Sequence, residues 1–92
     1  AGVTLGDDIF IGPCVTFTND LYPRAFTRDW KIIETTVMDG ASIGANCTII
    51  CGNTVGRFAM IGAGSVLTKN ASPYTLYSGN PAVEMRKIKS RP

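Results

Sequence analysis

The stretch IGANCTIICGNTVGRFAMIGAGSV, residues 43–66, divides into four units of six residues. Every unit opens with Ile or Val, three of the four continue with Gly, and the fifth place of each is small or polar. An α-helix repeats about every 3.6 residues and a strand about every two, so neither explains this period. A fixed longer period is typical of a solenoid, in which each coil packs only on its neighbours. The stretch therefore predicts a coil built from short repeats.

The same hexads occur on both sides of this stretch. They run from residue 5 to 22 and again from 37 to 72, which makes nine units, and all nine open with an aliphatic residue or Phe. If three hexads close one coil, residues in equivalent places stack on one another. The first places then form the columns Leu5/Val37/Val55, Ile11/Ile43/Ile61 and Phe17/Ile49/Leu67. The fifth places form columns of mostly smaller residues, Ile9/Ala41/Ala59, Val15/Cys47/Ser65 and Leu21/Asn53/Ala71.

These columns predict an all-β fold, a parallel β-helix of about three coils over residues 1–72. Stacked strands lie about 4.8 Å apart, so three coils would be about 14 Å tall. Gly12, Gly44 and Gly62 share the second place on one side of this coil. We expect the chain to turn there with positive φ, which glycine adopts without steric cost.

One segment, PRAFTRDWKIIETT at residues 23–36, does not fit the hexads. It contains the only Trp of the chain, Trp30, together with Phe26 and several basic residues, which indicates an ordered protruding loop. A long excursion from a short-period solenoid is usually functional. Two interpretations stay open: the loop packs on a neighbouring subunit, or it forms a wall of an active site.

The two ends of the chain differ in their patterns. In the extension of residues 73–92, Asn80 can cap a helix and Pro81 suits its first turn, so PAVEMRKIK predicts a short helix covering one end of the coil. No comparable segment precedes the first hexads, because Ala1 already continues the repeat pattern. We expect either a truncated chain or an assembly that buries the first coil.

Composition argues against several classes of protein. A net charge of +2 without basic, aromatic-rich patches does not indicate a nucleic-acid-binding protein. No apolar run reaches the length of a membrane span, so a soluble cytoplasmic protein without a membrane partner is expected. Cys14, Cys47 and Cys51 form no CxxC motif and the chain has no histidine, so we expect reduced structural thiols and no metal site.

The hexads, with the ending TKNASPYTLYSGNPAVEMRK, resemble those of the left-handed β-helix acyltransferases, the hexapeptide-repeat family. The resemblance runs from Leu5 to about Arg86, and the stretch FIGPCVTFTNDLYPRA is most similar to nucleotide-sugar N-acetyltransferases. It implies a left-handed coil and acetyl-CoA as co-substrate. It also implies a homotrimer with active sites between adjacent subunits. The sequence itself resembles the C-terminal half of such enzymes.

The resemblance also implies where the acetyl donor binds. Backbone groups at the coil turns would hold the pantetheine arm of CoA, and the positions concerned are Gly44, Ala45, Gly62 and Ala63. Lys69 and Arg86 are the candidates for the CoA phosphates. Both assignments have a structural alternative, since tight corners account for the glycines and a solvated basic segment accounts for the cations.

The acceptor is indicated by the missing histidine. A sugar hydroxyl needs a general base near neutral pH, whereas a deprotonated amine is already nucleophilic, so the absence favours an amine. We expect Asn19 and Asp20 to orient this amine, with Tyr22 beside it and Arg24 meeting a substrate phosphate. Asn19 and Asp20 could equally be turn residues that open the loop. The predicted function is therefore acetyl transfer to a nucleotide-linked amino sugar, with O-acetyl transfer and a non-catalytic trimeric scaffold as alternatives.

Overall fold

The computed structural model of the chain describes residues 2–18 and 33–88. Within them the secondary structure is entirely β. The strands are β1 Val3–Leu5, β2 Phe10–Ile11, β3 Thr16–Phe17, β4 Thr35–Val37, β5 Ser42–Ile43, β6 Thr48–Ile49, β7 Thr54–Val55, β8 Met60–Ile61, β9 Val66–Leu67, β10 Thr75–Gly79 and β11 Ala82–Lys87. No helix among these residues is long and apolar enough to cross a bilayer.

The chain visits three sheets in turn. Sheet A has the order β1-β4-β7, sheet B the order β11-β10-β8-β5-β2, and sheet C the order β3-β6-β9. All pairings among β1 to β9 are parallel. Each circuit through A, B and C is one coil, so the molecule is a parallel β-helix of triangular cross-section.

The register confirms the predicted columns of first positions. Leu5 pairs with Val37 and Val37 with Val55 in sheet A, and the columns of sheets B and C pair in the same way. These side chains point inward, and in the second and third coils they are buried: Val37, Ile43, Ile49, Val55, Ile61 and Leu67. Each such side chain contributes roughly 1.5–3 kcal/mol by leaving water. The first coil has a neighbour on one side only, and Leu5 there is 49% exposed.

The prediction of positive φ at Gly12, Gly44 and Gly62 was wrong. In seven of the hexads the left-handed residue is instead the fourth, whether or not it is glycine: Asp8, Cys14, Gly40, Asn46, Gly52, Phe58 and Gly64. The second place requires glycine for a different reason. A β-carbon on Gly12 or on Gly44 would lie 2.7 Å from a backbone nitrogen of the next coil. Close approach of stacked coils therefore selects glycine there.

The predicted C-terminal helix was also wrong. Residues 82–87 form β11, which pairs antiparallel with β10 as a hairpin. β10 in turn stacks on β8, with Leu76 beside Met60 and Tyr77 beside Ile61. A free strand edge next to this segment offers a full set of backbone hydrogen bonds, and that tertiary pairing outweighs the local capping signal. Ala82 is buried by it.

The segment predicted as a protruding loop ends earlier than expected. Thr35 and Thr36 belong to β4, where Thr35 pairs with Val3 of β1. Residues 23–32, including Phe26 and Trp30, lie outside the described residues. Ala71 forms a bridge to Val55, so the chain starts a further circuit beyond β9 before β10 joins sheet B.

Candidate functional site

Four of the residues predicted to bind the acetyl donor lie together. They occupy the BC corner, the turns that lead from sheet B to sheet C at residues 12–15, 44–47 and 62–65. The Gly44 N–H donates to the carbonyl of Ile61 at 2.9 Å, and the Gly64 N–H donates to the carbonyl of Ala45 at 2.8 Å. These bonds stack Gly44 and Ala45 directly beside Gly62 and Ala63, one coil apart.

Several backbone donors at this corner have no backbone acceptor among the described residues: the amide N–H groups of Cys14, Val15, Ala45, Cys47 and Ala63. Ala45 and Ala63 occupy the same place in successive coils, beside the glycine shelf. The equivalent place in the first coil is Pro13, which has no N–H to satisfy. Ala63 is exposed and Ala45 half-buried, so both donors are open to a ligand. The corner therefore offers two N–H groups about 4.8 Å apart along the coil axis.

A groove of about 320 Å³ on the outer face of sheet B leads to these donors. Its shelf is formed by Gly44, Gly62 and Ala63, and its walls by Phe10 and Met60. The lining is almost entirely apolar, and the shelf carries no side chain larger than a methyl group. The groove therefore suits a thin, flexible chain that carries its own amides.

Sequence reasoning missed the walls of this groove. Phe10, Ser42 and Met60 are the sixth residues of their hexads, and the register of sheet B stacks them in one outward column. The period of the repeat contains this information. The first, second and fifth places of the hexads, on which the sequence predictions rest, do not include this outward column.

Buried hydrogen bonds hold the shelf in place. The carbonyl of Gly62 accepts from the Ser65 hydroxyl at 2.7 Å and from the Cys47 thiol at 3.0 Å. The Ser65 oxygen accepts in turn from the Gly79 N–H at 3.1 Å. Ser65 and Cys47 are both buried. The turn that carries Ala63 is thus fixed to the core and to the end of β10, which makes the shelf rigid.

The structure separates Lys69 from this corner, whereas Arg86 lies in the same sheet B as the groove. Lys69 follows β9, at the CA corner that leads from sheet C back to sheet A, and Arg86 lies on β11 opposite Leu76. Thr18 lies at the same CA corner, where its hydroxyl accepts from the Cys51 N–H at 2.9 Å. Thr18 is the last described residue before the predicted acceptor site, whose residues Asn19, Asp20, Tyr22 and Arg24 lie outside the described part.

The described residues contain no group of three or more His, Cys, Asp or Glu side chains that could hold a metal ion. All three cysteines are free thiols, and Cys14 is exposed whereas Cys47 and Cys51 are buried. Cys14 occupies the BC corner in the first coil, in the column that continues with Asn46 and Gly64. An exposed thiol therefore lies at the corner that carries the two open N–H donors.

Known proteins resemble this chain in sequence. It is 50% identical over 60 residues to a dTDP-3-amino-3,6-dideoxy-alpha-D-galactopyranose 3-N-acetyltransferase of Aneurinibacillus thermoaerophilus, over 65% of this chain and 28% of that enzyme. It is 31% identical over 93 residues to the galactoside O-acetyltransferase of Escherichia coli, over 97% of this chain and 46% of that enzyme. The chain thus spans less than half the length of these relatives. No protein-family model matches it.

Solved structures share the fold. A hexapeptide-repeat-containing acetyltransferase of Vibrio cholerae superposes with a TM-score of 0.88 at 29% identity, over 96% of this chain and 52% of that one. A galactoside acetyltransferase in complex with coenzyme A superposes with a TM-score of 0.84 at 30% identity, over 97% of this chain and 46% of that one. The hexads, the three-sheet coil and these relatives together show that the chain belongs to the hexapeptide-repeat acetyltransferase family.

Proposed function

We propose that this chain takes part in CoA-dependent acetyl transfer to the amine of a nucleotide-linked amino sugar. The observation that carries the proposal is the BC corner, where an apolar groove meets the open N–H groups of Ala45 and Ala63. A pantetheine arm is thin and carries two amide carbonyls. Those carbonyls would accept from the two N–H groups while the arm lies along the glycine shelf.

The transfer itself needs little from the protein beyond orientation. The acceptor nitrogen attacks the thioester carbon and forms the C–N bond, the C–S bond breaks, and the leaving sulfur takes the proton that the amine releases. Asn19 and Asp20 are proposed to orient the amine, with Tyr22 and Arg24 on the sugar nucleotide. Lys69 and Arg86 are proposed for the phosphates of CoA.

An amine acceptor is favoured over a hydroxyl by two observations. The 92 residues contain no histidine to serve as general base. The 50% identical relative is named as an N-acetyltransferase of an amino-sugar nucleotide. The galactoside O-acetyltransferase, at 31% identity, keeps O-acetyl transfer as the second candidate. A non-catalytic scaffold is the third, and CoA binding distinguishes it from both enzymes.

The same proposal covers the oligomeric state of the protein and its location in the cell. A left-handed coil, a homotrimer with sites between subunits, and a cytoplasmic location where acetyl-CoA is available are all properties that the resemblance implies.

The test removes one backbone donor of the corner. Gly12-Pro13 shows that the turn itself accepts a Gly-Pro pair, so Ala63→Pro deletes the N–H. Because the Gly44 backbone lies close to the Ala63 nitrogen, circular dichroism must show that the variant keeps its fold. We expect CoA to bind about tenfold more weakly by calorimetry, which corresponds to about one hydrogen bond. Ala63→Ser keeps the N–H and is the control. Unchanged binding by the proline variant, or no CoA release with any amino-sugar nucleotide, would contradict the proposal.

A further inference from the structure

The two parts of the candidate donor site lie on different segments of the chain. The N–H groups of Ala45 and Ala63 belong to the BC corner, whereas Arg86 belongs to β11. We infer that the Ser65 hydroxyl is a positioning group that fixes the distance between these two parts, a role that rests on the proposed function. One CoA molecule is then held by its arm and by its phosphates at the same time.

Arg86 is directed to the groove side of sheet B by an irregularity in β11. Leu76 of β10 pairs with Arg86, and a register shift beside this pair leaves Met85 without a partner. Regular alternation would place Met85 opposite Leu76 and turn Arg86 to the other face, so this β-bulge changes the face on which Arg86 lies. Arg86 therefore continues the outward column of Met60 and Leu76. Met60, a wall of the groove, lies two strands away, about 10 Å.

The position of β11 depends on β10, because β11 is the edge strand of sheet B. Of its six residues only Ala82 is buried, so little packing holds the strand in place. The pairing of β10 with β8 covers only Leu76 and Tyr77. There the Gly62 N–H donates to the Tyr77 carbonyl at 2.9 Å. The end of β10 and the turn into β11 lie beyond this parallel ladder.

Ser65 attaches the end of β10 to the coil. Its oxygen accepts from the N–H of Gly79, the last residue of β10, at 3.1 Å. Its hydroxyl donates to the carbonyl of Gly62, the residue before Ala63, at 2.7 Å. Ser65 is fully buried, so water does not compete for these bonds. One hydroxyl group thus joins the shelf to the turn that leads into β11.

The shelf has further anchors that do not involve this hydroxyl. The Gly62 carbonyl also accepts from the Cys47 thiol at 3.0 Å. The Gly64 N–H donates to the carbonyl of Ala45 at 2.8 Å. Loss of the Ser65 hydroxyl should therefore loosen the end of β10 more than it loosens the shelf.

A ligand that is held at two points gains affinity from the fixed spacing of those points. Once the arm is bound, the phosphates meet Arg86 at an effective concentration set by that spacing, and a loosened β11 lowers it. Pantetheine has the arm without the phosphates, so its affinity does not depend on the spacing. The dissociation constant of pantetheine divided by that of CoA, which we call the nucleotide gain, therefore measures the action of Ser65.

The experiment determines the nucleotide gain by calorimetry on the full chain, with pantetheine measured by displacement of CoA. Ser65→Ala should lower the gain about tenfold, the value of about one hydrogen bond, and raise the dissociation constant of pantetheine less than about threefold. Ser65→Cys copies Cys47 of the same column, and because a thiol accepts weakly it should lower the gain about threefold. Ser65→Thr keeps the hydroxyl in the branched shape of Val15, also of this column, and should stay within about twofold of the original.

Arg86→Gln shows whether Ser65 acts through Arg86. When Arg86→Gln is already present, Ser65→Ala should change the nucleotide gain less than about twofold, because the contact that it positions is absent. Lys87→Gln is the control, since it removes a charge from the same strand on the other face. There the Lys87 Nζ donates to the Thr75 hydroxyl at 3.3 Å, and its loss should leave the gain unchanged.

Circular dichroism shows that each variant is folded. Two results would overturn the role of Ser65 and leave the proposed function standing. One is an equal loss of affinity for CoA and for pantetheine in Ser65→Ala, and the other is a full effect of Ser65→Ala when Arg86→Gln is present. An original chain that binds no CoA would instead overturn the proposed function, and the role of Ser65 with it.

Discussion

Gly40 and Phe58 lie one coil apart in the turns that lead from sheet A to sheet B, and the Phe58 ring occupies the space that a β-carbon on Gly40 would need. Both residues have positive φ, at 73° for Gly40 and 56° for Phe58. The Phe58 N–H donates to the carbonyl of Asp39 at 3.0 Å, so the two turns are held directly on each other. An aromatic residue in the left-handed region is unusual, and here the glycine beneath it leaves room for the ring.

The first prediction follows from this contact. Gly40→Ala should lower the free energy of unfolding by about 3 kcal/mol, since it adds both a strained φ and a clash with the ring. Gly64→Ala has nearly the same φ, 74°, but open space around the new carbon, and should cost only about 1 kcal/mol. Chemical denaturation measures both.

Phe58→Ala separates the two contributions. When Phe58 is already alanine, Gly40→Ala should lower the free energy of unfolding by no more than Gly64→Ala does, because only the penalty for positive φ remains. If Gly40→Ala and Gly64→Ala lower the free energy of unfolding of the original chain equally, the Phe58 ring does not restrict Gly40.

The second prediction concerns the hydrogen bonds beneath the shelf. Ser65→Ala removes the hydroxyl that joins the Gly62 carbonyl to the Gly79 N–H, and should destabilise the chain by about 1–2 kcal/mol. It should also weaken CoA binding, because the turn carrying Ala63 loses its anchor. Ser72→Ala, at an exposed residue, is the control, and its free energy of unfolding should lie within about 0.5 kcal/mol of the original. Equal stability of the two variants in thermal unfolding would refute the role of Ser65.

The third prediction uses the thiols. One of three cysteines, Cys14, should react rapidly with a water-soluble thiol reagent in the folded chain, because Cys47 and Cys51 are buried. A bulky adduct at Cys14 lies at the BC corner and should weaken CoA binding, whereas Cys14→Ser should bind CoA normally and resist the reagent. Mass spectrometry locates the adduct. Full CoA affinity after complete labelling would place the arm away from this corner.

The fourth prediction links the coil to the proposed acceptor site. Thr18→Val keeps the shape of the side chain but removes the oxygen that accepts from the Cys51 N–H, one position before Asn19. We expect a loss of about 1–2 kcal/mol in stability and a lower turnover with unchanged CoA affinity. Thr48→Val changes an outward threonine of sheet C and is the control. A parallel loss of CoA affinity would show that this corner also supports the donor site.

The columns of Leu5, Ile11 and Phe17 could be predicted from the printed residues, because an inward position in a narrow coil accepts only a narrow range of sizes. Matching sizes at a fixed spacing therefore determine both the period and the register. The four donor-site positions at the BC corner were implied by the resemblance to the family. The structure brings them together, while their role in binding CoA stays a prediction.

Other features depended on contacts between distant segments. Asn80 and Pro81 carry a helix signal, yet residues 82–87 pair with β10 because the stacking of β10 on β8 leaves an edge beside them. The glycines of the second place are explained by the approach of the next coil, which local sequence does not reveal.

The sequence by itself determined the repeating coil, its three columns and its family, since these depend on the size and order of residues along the chain. Only the tertiary structure decided the hairpin, the separation of Lys69 from the donor corner, and the outward column of Phe10, Ser42 and Met60. Each of these depends on which backbone edges and side chains the stacked coils leave free, and stacking fixes that only after the chain has closed on itself.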